Sequence, residues 1–208
     1  MRARLAPMPH PLRSLGPAAS LGERAEADLR FIRGAMERSG SFTAVPGRGG
    51  MAMGVVALAA ASAGPFAGDS DAWVALWAAT AVIAMAIGAI SMRRKAAREG
   101  IELLAGPGRR FLLCLCPALV AGALLTAALA RAGQPELLPG AWLLCYGAGV
   151  VAAGALSPPV VPITGAVFLV LGATALVAPP AWGDALMAAG FGGAHLVSGF
   201  VVARRHGG

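Results

Sequence analysis

Six apolar runs dominate this chain. They cover residues 49–67, 72–92, 111–130, 137–156, 160–178 and 183–203, and each contains at most one charged residue. Each run holds about 20 residues, which as an α-helix crosses a hydrocarbon core of ~30 Å. A water-soluble chain that is 57% hydrophobic and 13% charged would expose large apolar patches. The runs therefore predict an all-α polytopic membrane protein, with six transmembrane helices arranged as three hairpins.

The basic residues lie in alternate gaps between these runs. Sixteen of the 17 Lys and Arg precede the first run, lie between the second and third, or follow the sixth. Because an excess of Lys and Arg marks the cytoplasmic face, both termini and residues 93–110 are predicted to be cytoplasmic in a cell-membrane protein. In a five-span alternative, Ser157-Pro158-Pro159 would only kink one long helix. It would place Arg204 and Arg205 outside and is disfavoured.

The N-terminal residues 1–48 are predicted to form a cytoplasmic part that precedes a transmembrane domain at residues 49–208. Ser20-Leu21-Gly22-Glu23 matches a capping box and predicts an amphipathic helix over about residues 21–38. That helix has two interpretations: it lies along the inner membrane surface, or it contacts a cytoplasmic protein partner. The candidate contact residues on its apolar stripe are Leu29, Ile32 and Met36.

His195 is the one ionisable residue predicted to lie near mid-membrane. Gly192 and Gly199 share its helical face, so the imidazole should face neighbouring helices. One interpretation is structural: a neutral ring bonded to a carbonyl or to a hydroxyl such as that of Thr164 or Tyr146. The other is functional: a proton relay, a metal ligand or a haem ligand. The structural interpretation is favoured, because no run carries a second ionisable group at this depth.

The cysteines do not indicate a metal site. Cys114 and Cys116 are two residues apart and point to different helix faces, while Cys145 lies on the next run. They are interpreted as small apolar core residues, and no metal or cofactor is predicted. Glycines and one alanine are instead expected to permit close helix approach, within one chain or between two copies. These are Gly147, Gly149, Gly154, Gly165, Gly172, Ala189 and Gly193.

The tryptophans concentrate at one end of the predicted helices. Trp73, Trp142 and Trp182 each follow an alanine and open a run, and Trp77 lies one turn further in. Since indole prefers the membrane interface, these residues predict an aromatic belt at the outer face.

Two terminal segments carry a family resemblance. Residues 29–47, together with Phe191-Gly192-Gly193-Ala194-His195 and the closing residues 204–208, resemble a family of small uncharacterised bacterial membrane proteins. Members have six spans and an N-terminal cytoplasmic helix followed by a Ser-Phe-Thr-Ala-Val-Pro-Gly segment, after which a Trp often stands where this chain has Arg48. The resemblance implies this architecture in a bacterial inner membrane. It implies no activity.

The sequence leaves three classes of function open. The first is a non-enzymatic membrane component, structural or regulatory, that contacts a protein partner through residues 21–38 or contacts the anionic inner leaflet. The second is a small transporter or channel-like carrier with His195 in its pathway. The third is a membrane enzyme, for which the inner loop offers only Glu99 and Glu102. Nucleic acid is not an expected partner, because membrane topology accounts for the basic residues. The bilayer and a second copy of the chain are the expected partners.

Overall fold

The computed structural model describes residue 22 and residues 25–32, 42–155 and 157–207. The chain divides into two units, Met1–Ser39 and Gly40–Gly208. In the first unit, residues 25–32 form helix α1, on which Leu29, Phe31 and Ile32 are exposed. The capping box as a whole, the rest of the predicted helix and the candidate contact residue Met36 lie outside the described residues.

The described part of the second unit is helical apart from turns and the segment 42–46, and it contains no strand. Its helices are α2 (Gly47–Ala63), α3 (Ser70–Glu99), α4 (Gly106–Arg131), α5 (Leu138–Gly154), α6 (Val160–Val177), α7 (Gly183–Met187) and α8 (His195–Arg205). A π-helix, Ala188–Ala194, joins α7 to α8, and short 3₁₀ turns precede α5 and α7. Six of the described helical segments are long and apolar enough to cross a membrane. The predicted all-α polytopic fold is confirmed.

The sixth of these segments, Pro180–Arg205, is called the last span below. The two ends of the bundle are named after residues found there. The tryptophan end contains Trp73, Trp142 and the turns before α3, α5 and α7. The lysine end contains Lys95 and the start of α2.

Two helices continue well past the predicted apolar runs at the lysine end. Helix α3 extends through its basic residues to Glu99, and α4 begins at Gly106. Arg and Lys are good helix formers, so α3 has no reason to stop where its apolar run stops. It stops instead at Gly100, whose φ of 66° is the left-handed conformation that ends many helices.

The glycines predicted to allow close approach do so between α5 and α6. A Cβ added to Gly147 would lie 2.9 Å from the carbonyl oxygen of Gly165, and one added to Gly165 would lie 2.7 Å from the amide nitrogen of Val151. Gly172 is equally close to Leu144. These glycines therefore pack inside one chain. Gly193 does not take part, since a Cβ there would meet only one atom, at 3.9 Å.

Helix α2 and the last span meet through glycines that were not among those predicted to allow close helix approach. A Cβ added to Gly54 would lie 2.8 Å from the carbonyl oxygen of Gly192, and one added to Gly199 would lie 2.6 Å from that of Gly47. The backbones of the first and last membrane spans are thus in direct contact, so the N-terminal and C-terminal parts of the bundle are joined.

Each helix packs against the next one around the bundle, except at one place. Helix α3 packs on α2, α2 on the last span, the last span on α6, α6 on α5, and α5 on α4. Helices α3 and α4 are joined by only residues 100–105, yet within the described residues they do not pack along each other. All three predicted hairpins are therefore present, and an opening separates the first from the second.

The segment before α2 is part of the membrane unit. Residues 42–46 are not helical, and Phe42 and Ala44 are 1% and 0% exposed. The Phe42 ring lies 4.7 Å from that of Phe111 at the start of α4. The sequence interpretation assigned this segment to the cytoplasmic arm, but its side chains anchor the lysine end of the bundle.

Candidate functional site

A cavity of about 380 Å³, named the central cavity, lies between α3, α4, α5 and the last span. Its lining comes from residues 77–85, 118–126, 142–146 and 187–195, with Met53 of α2. Most of these residues are apolar, and most lie between the middle of their helices and the tryptophan end. The volume falls in the usual range for small-molecule sites, roughly 300–1,000 Å³.

The central cavity opens toward the membrane between α3 and α4. Val82 and Met85 of α3 line it and are 62% and 48% exposed, so neither is enclosed by the bundle. Ala123 of α4 also lines the cavity and is exposed. Side chains that face both the cavity and the surface form the edges of an opening. Since these helices are membrane spans by length and composition, that opening faces lipid.

His195 lies on the wall of the central cavity. Its side chain is 93% buried, as its 7% exposure shows, and its Nε2 is 2.7 Å from Oη of Tyr146, with which it shares a hydrogen bond. The prediction that His195 faces neighbouring helices is confirmed, and Tyr146 is one of the two hydroxyl partners considered. Thr164, the other, donates to the carbonyl of Val160 in its own helix.

Aromatic rings hold the imidazole of His195 in place. The ring centroids of Tyr146 and Phe168 are each 5.3 Å from that of His195, and the Phe191 ring stacks at 6.3 Å with an interplanar angle of 15°. The Nδ1 atom is buried and makes no hydrogen bond of good geometry among the described residues, although the backbone carbonyls of Gly190 and Phe191 lie within reach of the ring. The ring contacts and the bond to Tyr146 therefore fix the orientation of the imidazole.

A π-helix directly precedes His195. It covers Ala188–Ala194 and contains Gly190, Gly192 and Gly193. π-Helical turns are rare and often occur at functional sites, because the wider turn alters which side chains the helix presents. Three glycines within seven residues lower the helix propensity of this stretch, which makes the irregular turn easier to form. The irregularity coincides with the one intramembrane histidine.

At the tryptophan end, three indole rings and one carboxylate form a connected layer. The Nε1 atoms of Trp73 and Trp77 donate to Oδ1 of Asp184 at 2.9 and 3.2 Å. Trp142 stacks on Trp73 at 5.5 Å with an interplanar angle of 3°. Its own Nε1 donates to Oγ1 of Thr126 at 2.7 Å. Trp73, Trp77, Trp142 and Asp184 are called the tryptophan layer below.

The tryptophan layer corrects the predicted aromatic belt. Residues of a belt keep their N–H groups in water at the membrane interface, but the N–H groups of Trp73, Trp77 and Trp142 bond inside the bundle. Trp182 fits the original interpretation, since it is 57% exposed.

A second cavity, named the vestibule, lies beyond this layer at the tryptophan end. Its volume is about 420 Å³, and its lining includes Trp73 and the carboxylates of Asp69, Glu136 and Asp184. Asp69 also caps α3, because its Oδ1 accepts a hydrogen bond from the amide of Ala72 at 2.8 Å. The tryptophan layer contributes Trp77 and Trp142 to the central cavity and Trp73 and Asp184 to the vestibule.

At the lysine end, Lys95 ties three parts of the chain together. Its Nζ donates to the carbonyls of Val45, His206 and Gly207 at 3.0, 2.7 and 2.9 Å, and Glu99 lies 3.8 Å away. Three carbonyls use all three donors of the ammonium group. Charge patterning only counted Lys95 among the basic residues of the predicted cytoplasmic segment 93–110, so the sequence interpretation missed this role.

The cysteines do not form the core that the sequence suggested. Cys114 and Cys116 are exposed on α4, and Cys145 is half-buried and lines the central cavity. Among the described residues, no group of three or more His, Cys, Asp or Glu side chains is arranged to hold a metal ion.

Comparisons of the chain with models of protein families, with curated proteins and with solved structures find no match. The family resemblance noted above stays a prediction. The chemistry of the central cavity and of the tryptophan layer is what bears on function.

Proposed function

We propose that this protein is a non-enzymatic membrane component that binds a hydrophobic molecule of the bilayer in its central cavity. The observation that carries the proposal is the opening between α3 and α4, which connects the cavity to the membrane. A molecule dissolved in lipid can enter through it without crossing water. We expect an occupant with an apolar chain, because the lining is mostly alanine, valine, leucine, methionine and aromatic residues.

His195 and Tyr146 give this apolar cavity a polar position. His195 is buried, Tyr146 is half-buried, and the hydrogen bond that they share fixes their orientation. Apolar contact alone gives little preference for one lipid over another, because lipid tails are as apolar as the lining. We therefore propose that these two residues orient or select an occupant that also carries a hydrogen-bonding group.

Native mass spectrometry after purification in mild detergent tests this binding. The wild-type protein should retain a hydrophobic molecule of defined mass. Ala123→Trp should release it, because the indole would fill the cavity where α4 lines it. Ala121→Trp is the matched control: it places the same side chain on an exposed part of α4 that does not line the cavity, so the molecule should stay bound. Retention in both variants would contradict the proposal.

We propose that the lysine end and both termini are cytoplasmic, in a bacterial inner membrane. Arg93, Arg94 and Arg98 are exposed at this end, as the distribution of basic residues requires. Labelling of single cysteines in intact cells tests the orientation. The reporter belongs at Arg94, because a cysteine at the buried Lys95 would be shielded and would break its three hydrogen bonds. Labelling of Arg94→Cys from outside the cell would contradict this orientation.

Helix α1 is proposed as a regulatory contact with the inner leaflet, with a cytoplasmic protein or with a second copy of the chain. The exposed side chains of Leu29, Phe31 and Ile32 support this proposal. Replacing both Leu29 and Ile32 by Glu should abolish the contact while leaving membrane insertion normal. Co-purification of partners and flotation with anionic vesicles would measure it. Unchanged association in the double variant would refute a role for these side chains.

A second candidate function is a small carrier with His195 in its pathway. The observation that favours it is the position of the vestibule and the central cavity on either side of the tryptophan layer. A carrier must open this layer during its cycle, whereas a lipid-binding component can keep it closed. The two functions therefore differ in what the tryptophan layer does.

A further inference from the structure

We infer that the tryptophan layer is a seal, which closes the central cavity against the vestibule and leaves the bilayer as the source of its occupant. This inference rests on the proposed binding function and narrows the ligand class to molecules that reside in the membrane, as opposed to water-soluble solutes. The layer contributes residues to both cavities, so it is the boundary between them.

Hydrogen bonds and stacking both hold the layer closed. One carboxylate oxygen of Asp184 accepts from Trp73 and Trp77, two residues one helical turn apart on α3. This joins α3 to the start of the last span. The stacking of Trp73 on Trp142, with planes within 3° of parallel, then joins α3 to α5. The layer therefore joins three spans, α3, α5 and the last span, through hydrogen bonds and a stacking contact that are already formed in this structure.

Other groups around Asp184 hold its carboxylate within hydrogen-bond distance of Trp73 and Trp77. A Cβ on Gly64 would lie 2.5 Å from Oδ1 of Asp184, so the end of α2 approaches this group as closely as a glycine permits. Asp184 also lies in the first turn of α7, where the positive end of the helix dipole favours a carboxylate. Asp184 is therefore held at the junction of α2, α3 and the last span.

The two exits of the central cavity differ in polarity. The exit toward the vestibule passes aromatic rings whose N–H groups are already bonded, and two further acidic residues, Asp69 and Glu136, line the vestibule beyond them. The exit between α3 and α4 is edged by Ala81, Val82 and Ala123, and among the described residues no side-chain hydrogen bond joins these two helices across it. A hydrophobic molecule meets the smaller barrier on the membrane side.

Cys145 supplies a native reporter for this seal. It lines the central cavity one turn beyond Trp142, and replacing the lipid-exposed Cys114 and Cys116 by alanine leaves it as the only thiol of the chain. The protein is placed in lipid nanodiscs, where both ends meet water, and treated at alkaline pH with a charged maleimide. Asp71→Cys, exposed at the tryptophan end, gives the rate of an unprotected thiol.

The seal predicts that Cys145 is protected in the otherwise wild-type chain. Asp184→Ala removes the acceptor of two indole hydrogen bonds, so the labelling rate should rise at least about tenfold, since bonds to charged groups are among the stronger ones in proteins. Asp184→Asn keeps an acceptor oxygen and should stay protected. Trp182→Ala removes an exposed indole at the same end, outside the layer, and should also stay protected.

A second pair of changes covers the case in which Asp184→Ala does not fold. Replacing Trp73 and Trp77 by Phe keeps a smaller aromatic ring at each position and removes both N–H donors, and this variant should label faster as well. Rapid labelling of the wild-type Cys145, or continued protection in both Asp184→Ala and the Phe variant, would overturn the seal. If only the seal is wrong, Cys145 is labelled rapidly and the bound molecule is still seen in the mass spectrum. If only the proposed function is wrong, Cys145 stays protected and no bound molecule is seen.

Discussion

Two pairs of neighbouring helices, α5 with α6 and α3 with α4, are rich in small residues and yet pack in opposite ways. Between α5 and α6, glycines face glycines, and the backbones approach so closely that a Cβ would meet main-chain atoms. Along α3 and α4 the small residues are mostly alanines, and the helices stay apart. Lipid tails are as apolar as these side chains, so burial alone does not close a gap in a membrane. Close backbone contact holds α5 against α6, and without such contact α3 and α4 stay apart.

The largest expected effect comes from disturbing the closed pair. In Gly165→Ala the new methyl group would lie 2.7 Å from the amide nitrogen of Val151, a main-chain atom that cannot move aside alone. We expect a loss of about 1–3 kcal/mol of stability, the usual cost of overpacking. Thermal unfolding in detergent measures it. Gly193→Ala is the matched control, because its methyl group would meet only the oxygen of Ala188 at 3.9 Å. Equal stability of both variants would show that the α5–α6 contact does not carry this energy.

A substitution at Lys95 tests how the lysine end of α3 is held in the bundle, since α3 does not pack along α4. Lys95→Met keeps most of the aliphatic stem and removes the ammonium group from three carbonyls. We expect a loss of about 1–3 kcal/mol, because carbonyls at a buried site lose their partner. Arg94→Met changes an exposed neighbour and should shift stability by less than about 0.5 kcal/mol. A Lys95→Met protein as stable as Arg94→Met would mean that this end of α3 needs no anchor.

His195 lines the central cavity, and two substitutions, by Gln and by Leu, separate its two interpretations. If it only joins helices, His195→Gln should cost less than about 0.6 kcal/mol, the average for a hydrogen bond inside a membrane, because the amide can still bond to Tyr146. His195→Leu should cost more, because Tyr146 would lose its partner. If His195 recognises the occupant, Gln and Leu should both release the bound molecule while the unfolding temperature stays near that of the wild type. Mass spectra and melting curves of the same samples distinguish these patterns.

The smallest effect on stability is expected at the open side. Ala81→Trp places an indole at an exposed position of α3 that lines the space between α3 and α4, so stability should change by less than about 0.5 kcal/mol. Ala79→Trp is the control on an exposed part of α3 outside the cavity. The bound molecule should be lost only from the Ala81 variant. A strongly destabilised Ala81→Trp protein would indicate that the opening is closed in the membrane.

The sequence predicted what depends on local pattern. Length and apolarity gave the six spans, and the helical period placed His195 and Gly199 on the buried face and Val197 on the exposed one. The glycines of α5 and α6 were identified because only glycine permits such close backbone contact. Each of these inferences needs residues of one helix and knowledge of the solvent around it.

The remaining features depend on residues far apart in sequence. Trp73 bonds to Asp184, 111 residues later, and Lys95 bonds to Val45, 50 residues earlier, and to His206, 111 residues later. Interface preference and charge patterning treat each such residue alone, so both assigned them to the surface. Nothing in the sequence indicated the opening between α3 and α4 either, because a short loop normally joins helices that pack. Only the glycines around Phe191 gave a weak indication of the π-helix.

The most direct test of the central claim is photo-crosslinking in bilayers with a phospholipid that carries a diazirine on its acyl chain. A cavity open to the membrane predicts adducts on Trp142 and Phe191, which line it and are only half-buried. These adducts should disappear in Ala123→Trp, while adducts on Val120 and Leu124, which are exposed on α4 outside the cavity, should persist. Adducts confined to Val120, Leu124 and similar outer residues in the wild-type protein would contradict a lipid-accessible cavity and the function proposed for it.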